Sequence, residues 1–259
     1  MKHLFLLLAA ASLVFGGCRK KPLDPVPDID TVSSTGKLRL SFRNVVGSQN
    51  LVLNTQTYAT AAGDSFTVST FKYFISNIEL VDASGTAMKP APTYNLINQA
   101  GNRVASGSGF TPGTYTKVRF LIGVDSARNV SGAQEGDLDP AGAAAGMFWD
   151  WNTGYIMAMM EGSSPLSPVA NNRLMFHMGG FQGRHSVLRT VALDLPSPVI
   201  IGKGKTTELH INADLRQWFS SPIDIRFAAT PVAMDGADAA QIADNYMDMF
   251  TVTEVHNEE

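Results

Sequence analysis

The sequence predicts an all-β protein: an antiparallel two-sheet β-sandwich with long loops and one short helix near the C-terminus. Three observations carry that expectation. Hydrophobic residues recur with a period of two in many short runs; Gly, Pro, Asn and Asp fall between the runs; and only one stretch has helical spacing. Such a pattern leaves each run with one face to bury, which two packed sheets satisfy.

The first run, KLRLSFRNV (residues 37–45), sets Leu38, Leu40 and Phe42 on one side of an extended chain and Lys37, Arg39, Ser41 and Arg43 on the other. FTVSTFKYFISNIELVD (66–82), TKVRFLIGV (116–124), YIMAMMEG (155–162), NRLMFHMGG (172–180), SVLRTVALDL (186–195), TTELHINADL (206–215) and SPIDIRFAA (221–229) are expected to be strands on the same grounds. The helical stretch is DAAQIADNYMDMF (238–250), with Ile242, Tyr246 and Met249 or Phe250 on one face. GGFQG (179–183) reads as a turn. No internal repeat and no second folded domain are evident, so residues 37–259 are expected to form a single domain.

What precedes that domain has a different character. MKHLFLLLAAASLVFGGC has a basic start, an apolar stretch too short to be a permanent membrane span, and a small-residue site ending in Cys18, the chain's only cysteine. Residues 1–18 are therefore expected to be a lipoprotein signal with Cys18 as the lipidated residue. Residues 19–36, rich in Pro, Asp and Ser, read as a flexible tether. The expected location is the bacterial cell envelope, held by lipid, with the RKK after Cys18 favouring an outer-membrane anchor that faces the periplasm. With no second cysteine there is no disulfide, and stability must come from the core. A formal net charge of -3 without a basic block excludes nucleic acid as a natural partner.

Catalytic signatures are missing: there is no G-x-S-x-G, no H-E-x-x-H and no phosphate-binding glycine loop. An enzyme is not expected; Asp150 and Glu161, as an acid/base pair of a hydrolase, are the weakest alternative. The loop DSARNVSGAQEGDLDPAGAAAG (125–146) carries Asp125, Glu135, Asp137 and Asp139, a weak candidate for calcium because the spacing of an EF-hand is absent. The segment that follows, GMFWDWNTGYIMAMMEG (146–162), gathers Trp149, Trp151 and several methionines. In it, Phe148, Tyr155 and Ile156 are expected to pack, and Trp149 or Trp151 to face His177 at a site. An aromatic groove for a glycan or small molecule is the alternative use of those indoles.

Beyond His3 the histidines are His177, His185, His210 and His256. His177 alternates with Leu174, Phe176 and Met178, so an imidazole between apolar neighbours needs a partner or a metal. His210 stands in a polar comb with Glu208, Asn212 and Asp214. His185 reads as a loop residue, and His256 falls in a region where disorder is common.

Taken in order, YFISNIEL (73–80), FLIGVD (120–125), GDLDP (136–140), residues 146–162, FHMGG (176–180) and IADNYMDMF (242–250) resemble the MbnP-like family of bacterial periplasmic and lipoprotein copper-binding proteins. The resemblance spans roughly residues 37–250 and rests on the combination of stretches. It implies a non-enzymatic β-rich protein with a Cu(I) centre of histidine nitrogens and a kynurenine, made from tryptophan by a partner dihaem enzyme. Carried onto this chain, the W-x-W stretch is Trp149-Asp150-Trp151 and the F-H-x-G-G element supplies His177. His210 is the expected second histidine, with His256 in reserve. Cu(I) is a soft ion that accepts nitrogen and thioether donors, and Met147, Met157, Met159, Met175 and Met178 lie near the site in sequence.

Overall fold

A computed structural model describes residues 33–149 and 154–258. The signal segment, Cys18 and nearly all of the tether lie outside the described residues, as do Asp150 and Trp151. Gly36, the last residue assigned to the tether, already opens the first strand.

The strands in chain order are β1 (Gly36–Val46), β2 (Gln49–Asn50), β3 (Thr57–Ala59), β4 (Ser65–Val81), β5 (Ala87–Met88), β6 (Tyr94–Asn98), β7 (Val104–Phe110) and β8 (Gly113–Ile122). After the one-turn helix α1 (Ser126–Asn129) come β9 (Phe148–Trp149), β10 (Gly154–Tyr155), β11 (Ala158–Ser163), β12 (Arg173–Met178), β13 (Arg189–Ile201) and β14 (Thr206–Asp214). Then β15 (Val232–Ala233), helix α2 (Gly236–Tyr246) and β16 (Phe250–His256) complete the fold.

Two sheets form the sandwich. One has the order β16-β14-β1-β2, with β7 also on β1; the other runs β13-β8-β4-β11-β12-β15, with β3, β5 and β6 also on β4. The expectation of purely antiparallel sheets is corrected: β1 pairs β14 in parallel, Leu40 beside Leu209, and β12 pairs β15 in parallel. Those partners are far apart in the chain, and a parallel pair needs a long crossover, which here passes through the other sheet.

The inner faces are those the alternation predicts. Leu38, Leu40 and Phe42 of β1, Leu209, Ile211 and Ala213 of β14, and Leu174, Phe176 and Met178 of β12 are all buried. Between the sheets the aromatic rings meet edge to face: Phe42 lies 5.9 Å from Tyr73 and Phe120 lies 5.1 Å from Phe250. Tyr73 also carries its hydroxyl into this core, where it donates to Asn44 Oδ1 at 2.8 Å; Asn44 in turn donates to Gln99.

Two sequence expectations change. Residues 221–229 are not a strand, although Ile225 and Phe227 are buried as alternation demands. Their backbone finds other partners: Ile223 N–H donates to Asn245 Oδ1, Ile225 N–H to Phe219 O and Phe227 N–H to Asp64 Oδ2. The helix α2 is shorter than residues 238–250, because Phe250 leaves it to begin β16. Ile242 and Tyr246 do form its buried face, and the Tyr246 hydroxyl donates to Val187 O.

The outer face of the larger sheet is not bare. The connection after β8 folds back over it: Leu138, Ala144 and Met147 are buried, and Tyr155 stacks edge to face on Phe74 at 5.3 Å. Tyr155 donates its hydroxyl to Leu138 O, and burial pushes that hydroxyl up to about 12, so it remains a donor. Phe148, Tyr155 and Ile156 are thus packing residues.

Candidate metal centre

The covered outer face ends beside the hairpin of β11 and β12. Antiparallel register pairs Met159 with His177 and Glu161 with Met175, while on the other side β11 sets Met159 against Lys72 and Glu161 against Thr70. Because side chains alternate, Thr70, Lys72, Met159, Glu161, Met175 and His177 share this face. His177 Nε2 lies 2.9 Å from Glu161 Oε1, and Thr70 donates to the other carboxylate oxygen at 3.1 Å. The imidazole is mostly covered, with its side chain 13% exposed.

Trp149 reaches the same place from β9. Gly179 lies two residues beyond His177, and a Cβ built there would come within 2.0 Å of Trp149 Cζ3. The indole therefore lies flush on the Gly179 backbone, on the side of the chain to which His177 points. Trp149 is 7% exposed. The structure brings Trp149, His177, Met159 and Glu161 to one region, whereas Met147, Met157 and Met178 are fully buried packing residues. Met157 in addition accepts the Val124 N–H on its sulfur at 3.2 Å.

His210 is not brought there. It projects from β14 in the other sheet, where its neighbours Leu209 and Ile211 take the core side, so the two imidazoles look away from a common core. Its partner is His256, the residue held in reserve: their ring centroids are 4.9 Å apart. His256 is in an ordered strand and not a loose end. Asn257 accepts the Ile200 N–H and Glu258 accepts the Thr206 N–H, so the chain just after it is tied down. The signal for this pair was a repeated E-x-H, Glu208-Leu209-His210 and Glu254-Val255-His256, which places acid and imidazole on one face in each strand. His185 lies in a loop and accepts from Arg184 Nε at 2.9 Å.

The four loop carboxylates do not converge as a calcium site would require. Asp125 caps α1 and also accepts from Tyr94 and Asn77. Burial pushes its carboxyl up, but those hydrogen bonds outweigh it and hold it below the usual carboxylate range. Asp137 accepts the Leu96 N–H and Asp139 the Ala141 N–H. Among the described residues the one set of three or more His, Cys, Asp or Glu donors close enough for an ion is His210, Glu254 and His256.

Nor do tryptophans line a groove among the described residues, since Trp149 and Trp218 are both buried. A cleft of about 570 Å³ beside Asn77, Lys89, Tyr94 and Asp125 offers one aromatic ring, a poor platform for a sugar. No helix among the described residues is long and apolar enough to cross a membrane.

Comparison with known proteins follows the same outline. A model of the MbnP family matches residues 35–235. Among solved structures, MbnP from Methylosinus trichosporium is similar in fold, with a TM-score of 0.53 and 16% identity, over 84% of this chain and 98% of that one. A search of curated proteins finds no match.

Proposed function

This chain belongs to the MbnP family, and from that membership we propose that it is a copper-binding protein of the bacterial envelope, a store, scavenger or carrier and not an enzyme. The observation that carries the reading is the Trp149 indole lying against the Gly179 backbone, two residues along the chain from His177.

The donor set there fits a soft ion. A histidine that binds metal through one ring nitrogen commonly gives its other N–H to a carboxylate, which fixes the tautomer. Glu161 is in that position at Nε2, so Nδ1 of a neutral His177 keeps its lone pair for copper. Met159, directly across the ladder, adds a thioether suited to Cu(I), and Met175 stands on the same face. Conversion of Trp149 or Trp151 to kynurenine by a dihaem partner would add an aromatic amine, a ligand that indole lacks. Bound copper would supply no reaction here; the residues' task is to hold Cu(I) on a face shielded by the Trp149 segment. In this reading Cys18 carries the lipid that holds the protein in the envelope.

The test is Cu(I) competition against a chromophoric chelator, with intact mass measured on protein from the original host. The wild-type chain is expected to take up about one equivalent and His177→Ala to lose affinity by about tenfold or more. Retention of full affinity by His177→Ala, or no uptake by the wild type, rejects the reading.

A further inference from the structure

The far side of the sandwich carries a second group of ligands that the copper reading does not use. β14 and β16 pair so that Glu208 faces His256 and His210 faces Glu254. Each strand also alternates acid and imidazole along one face, so the four side chains form a square with like groups on its diagonals. His256 Nε2 lies 3.2 Å from Glu254 Oε1, and His210 Nε2 lies 3.8 Å from Glu208 Oε1.

The two acids are not equivalent. Glu208 is taken up by β1, accepting from Ser41 Oγ and lying 3.8 Å from Arg39 Nε. Among the described residues Glu254 pairs with no cation of β1 and stands with the two imidazoles. One ligand atom from each of His210, Glu254 and His256 lies within 4.8 Å of the others, a separation that small rotamer changes close onto an ion. All three side chains are open to solvent, so an incoming aqua ion meets them without any backbone opening. A cleft of about 350 Å³ lined in part by Ser41, His210, Asn212 and Glu254 leaves room for retained water. The strand positions are fixed by the ladder, and the anchoring of Asn257 and Glu258 holds His256 in register.

We infer that His210, Glu254 and His256 form a surface site for a borderline divalent cation, Zn²⁺ or Cu²⁺, distinct from the Trp149–His177 face. Two imidazoles and one carboxylate are a nitrogen and oxygen set suited to these ions, with water completing the shell. The soft thioethers that favour Cu(I) are absent from the three ligands. Glu208 stands beside the site, 3.8 Å from His210 Nε2, and is itself held by Ser41 of β1. Glu254 and His256 lie beyond residues 35–235, over which the family match extends.

Isothermal titration of the full chain with Zn²⁺, and separately with Cu²⁺, tests it. About one equivalent should bind in the wild type and in His177→Ala. Affinity should fall by about tenfold or more in His210→Ala, His256→Ala and Glu254→Gln. Cu(I) uptake in the chelator competition should be unchanged by His210→Ala, which separates this site from the copper centre. Absence of Zn²⁺ and Cu²⁺ binding in the wild type, or retention of wild-type affinity in His210→Ala and His256→Ala, overturns the inference. So does loss of divalent binding in His177→Ala, which would put the ion on the opposite sheet. Imidazole resonances of His210 and His256 followed during Zn²⁺ titration report occupancy without relying on heat.

Discussion

Gly179 decides where the Trp149 indole lies, two residues along the chain from His177. Its missing side chain is the space that the indole fills, and an added methyl would meet the ring at 2.0 Å from Cζ3. Gly179→Ala is therefore expected to displace Trp149, cost about 1–3 kcal/mol by overpacking, shift tryptophan emission and weaken Cu(I) capture while leaving His177 and Glu161 in place. Denaturant midpoints, emission spectra and chelator competition on one preparation check this; unchanged copper affinity with a shifted spectrum would remove Trp149 from the site. At this scale the sequence was informative about His177, because an imidazole among Leu174, Phe176 and Met178 needs a partner. The partner, Glu161, could not be read: it lies on another strand, and no local pattern encodes which residue a register sets diagonally opposite.

The hairpin that holds His177 depends on how β11 joins β4. Their register shifts between Glu161 and Gly162, and a Cβ at Gly162 would come within 1.9 Å of Thr67 O. Backbone cannot turn aside as a side chain can, so Gly162→Ala is expected to separate the strands there, cost about 3 kcal/mol and loosen Glu161 from Thr70 and His177. Its melting temperature should fall below that of Gly179→Ala, and amide exchange should rise along β4 near Thr67; equal melting temperatures would mean that the bulge adapts. Alternation correctly assigned the inner faces of β1, β12 and β14. It misled at residues 221–229, where Ile225 and Phe227 alternate into the core without a neighbouring strand, because burial and not pairing is what the pattern records. It was silent on the short strands β2, β3, β5 and β15, which are too brief to show a period.

Across the whole molecule, one ion pair ties the turn before β4 to the segment that leads from β14 towards α2. Arg226 donates to both oxygens of Asp64, and Phe227 N–H adds a third donor. The Arg226 hydrogen bond, opposed by burial and helped by Phe227, holds the Asp64 carboxyl below the usual carboxylate range. A depressed folded value adds stability above the unfolded pKa of about 3.9 and loses it as the pH falls through the folded value. Asp64→Asn should thus lower the melting temperature most near neutral pH, with the gap to wild type closing under acid; a gap independent of pH would assign the effect to packing. The fold class, the faces of the long strands and the family were legible in the residues alone, because those reside in local alternation and in ordered stretches. That β1 and β14 run parallel, that His210 joins His256 and not His177, and that Trp149 lies on Gly179 emerged with the folded chain. Strand order and register are fixed by the joint packing of both sheets, a free energy spread over contacts between residues far apart in the chain, and no single segment contains it.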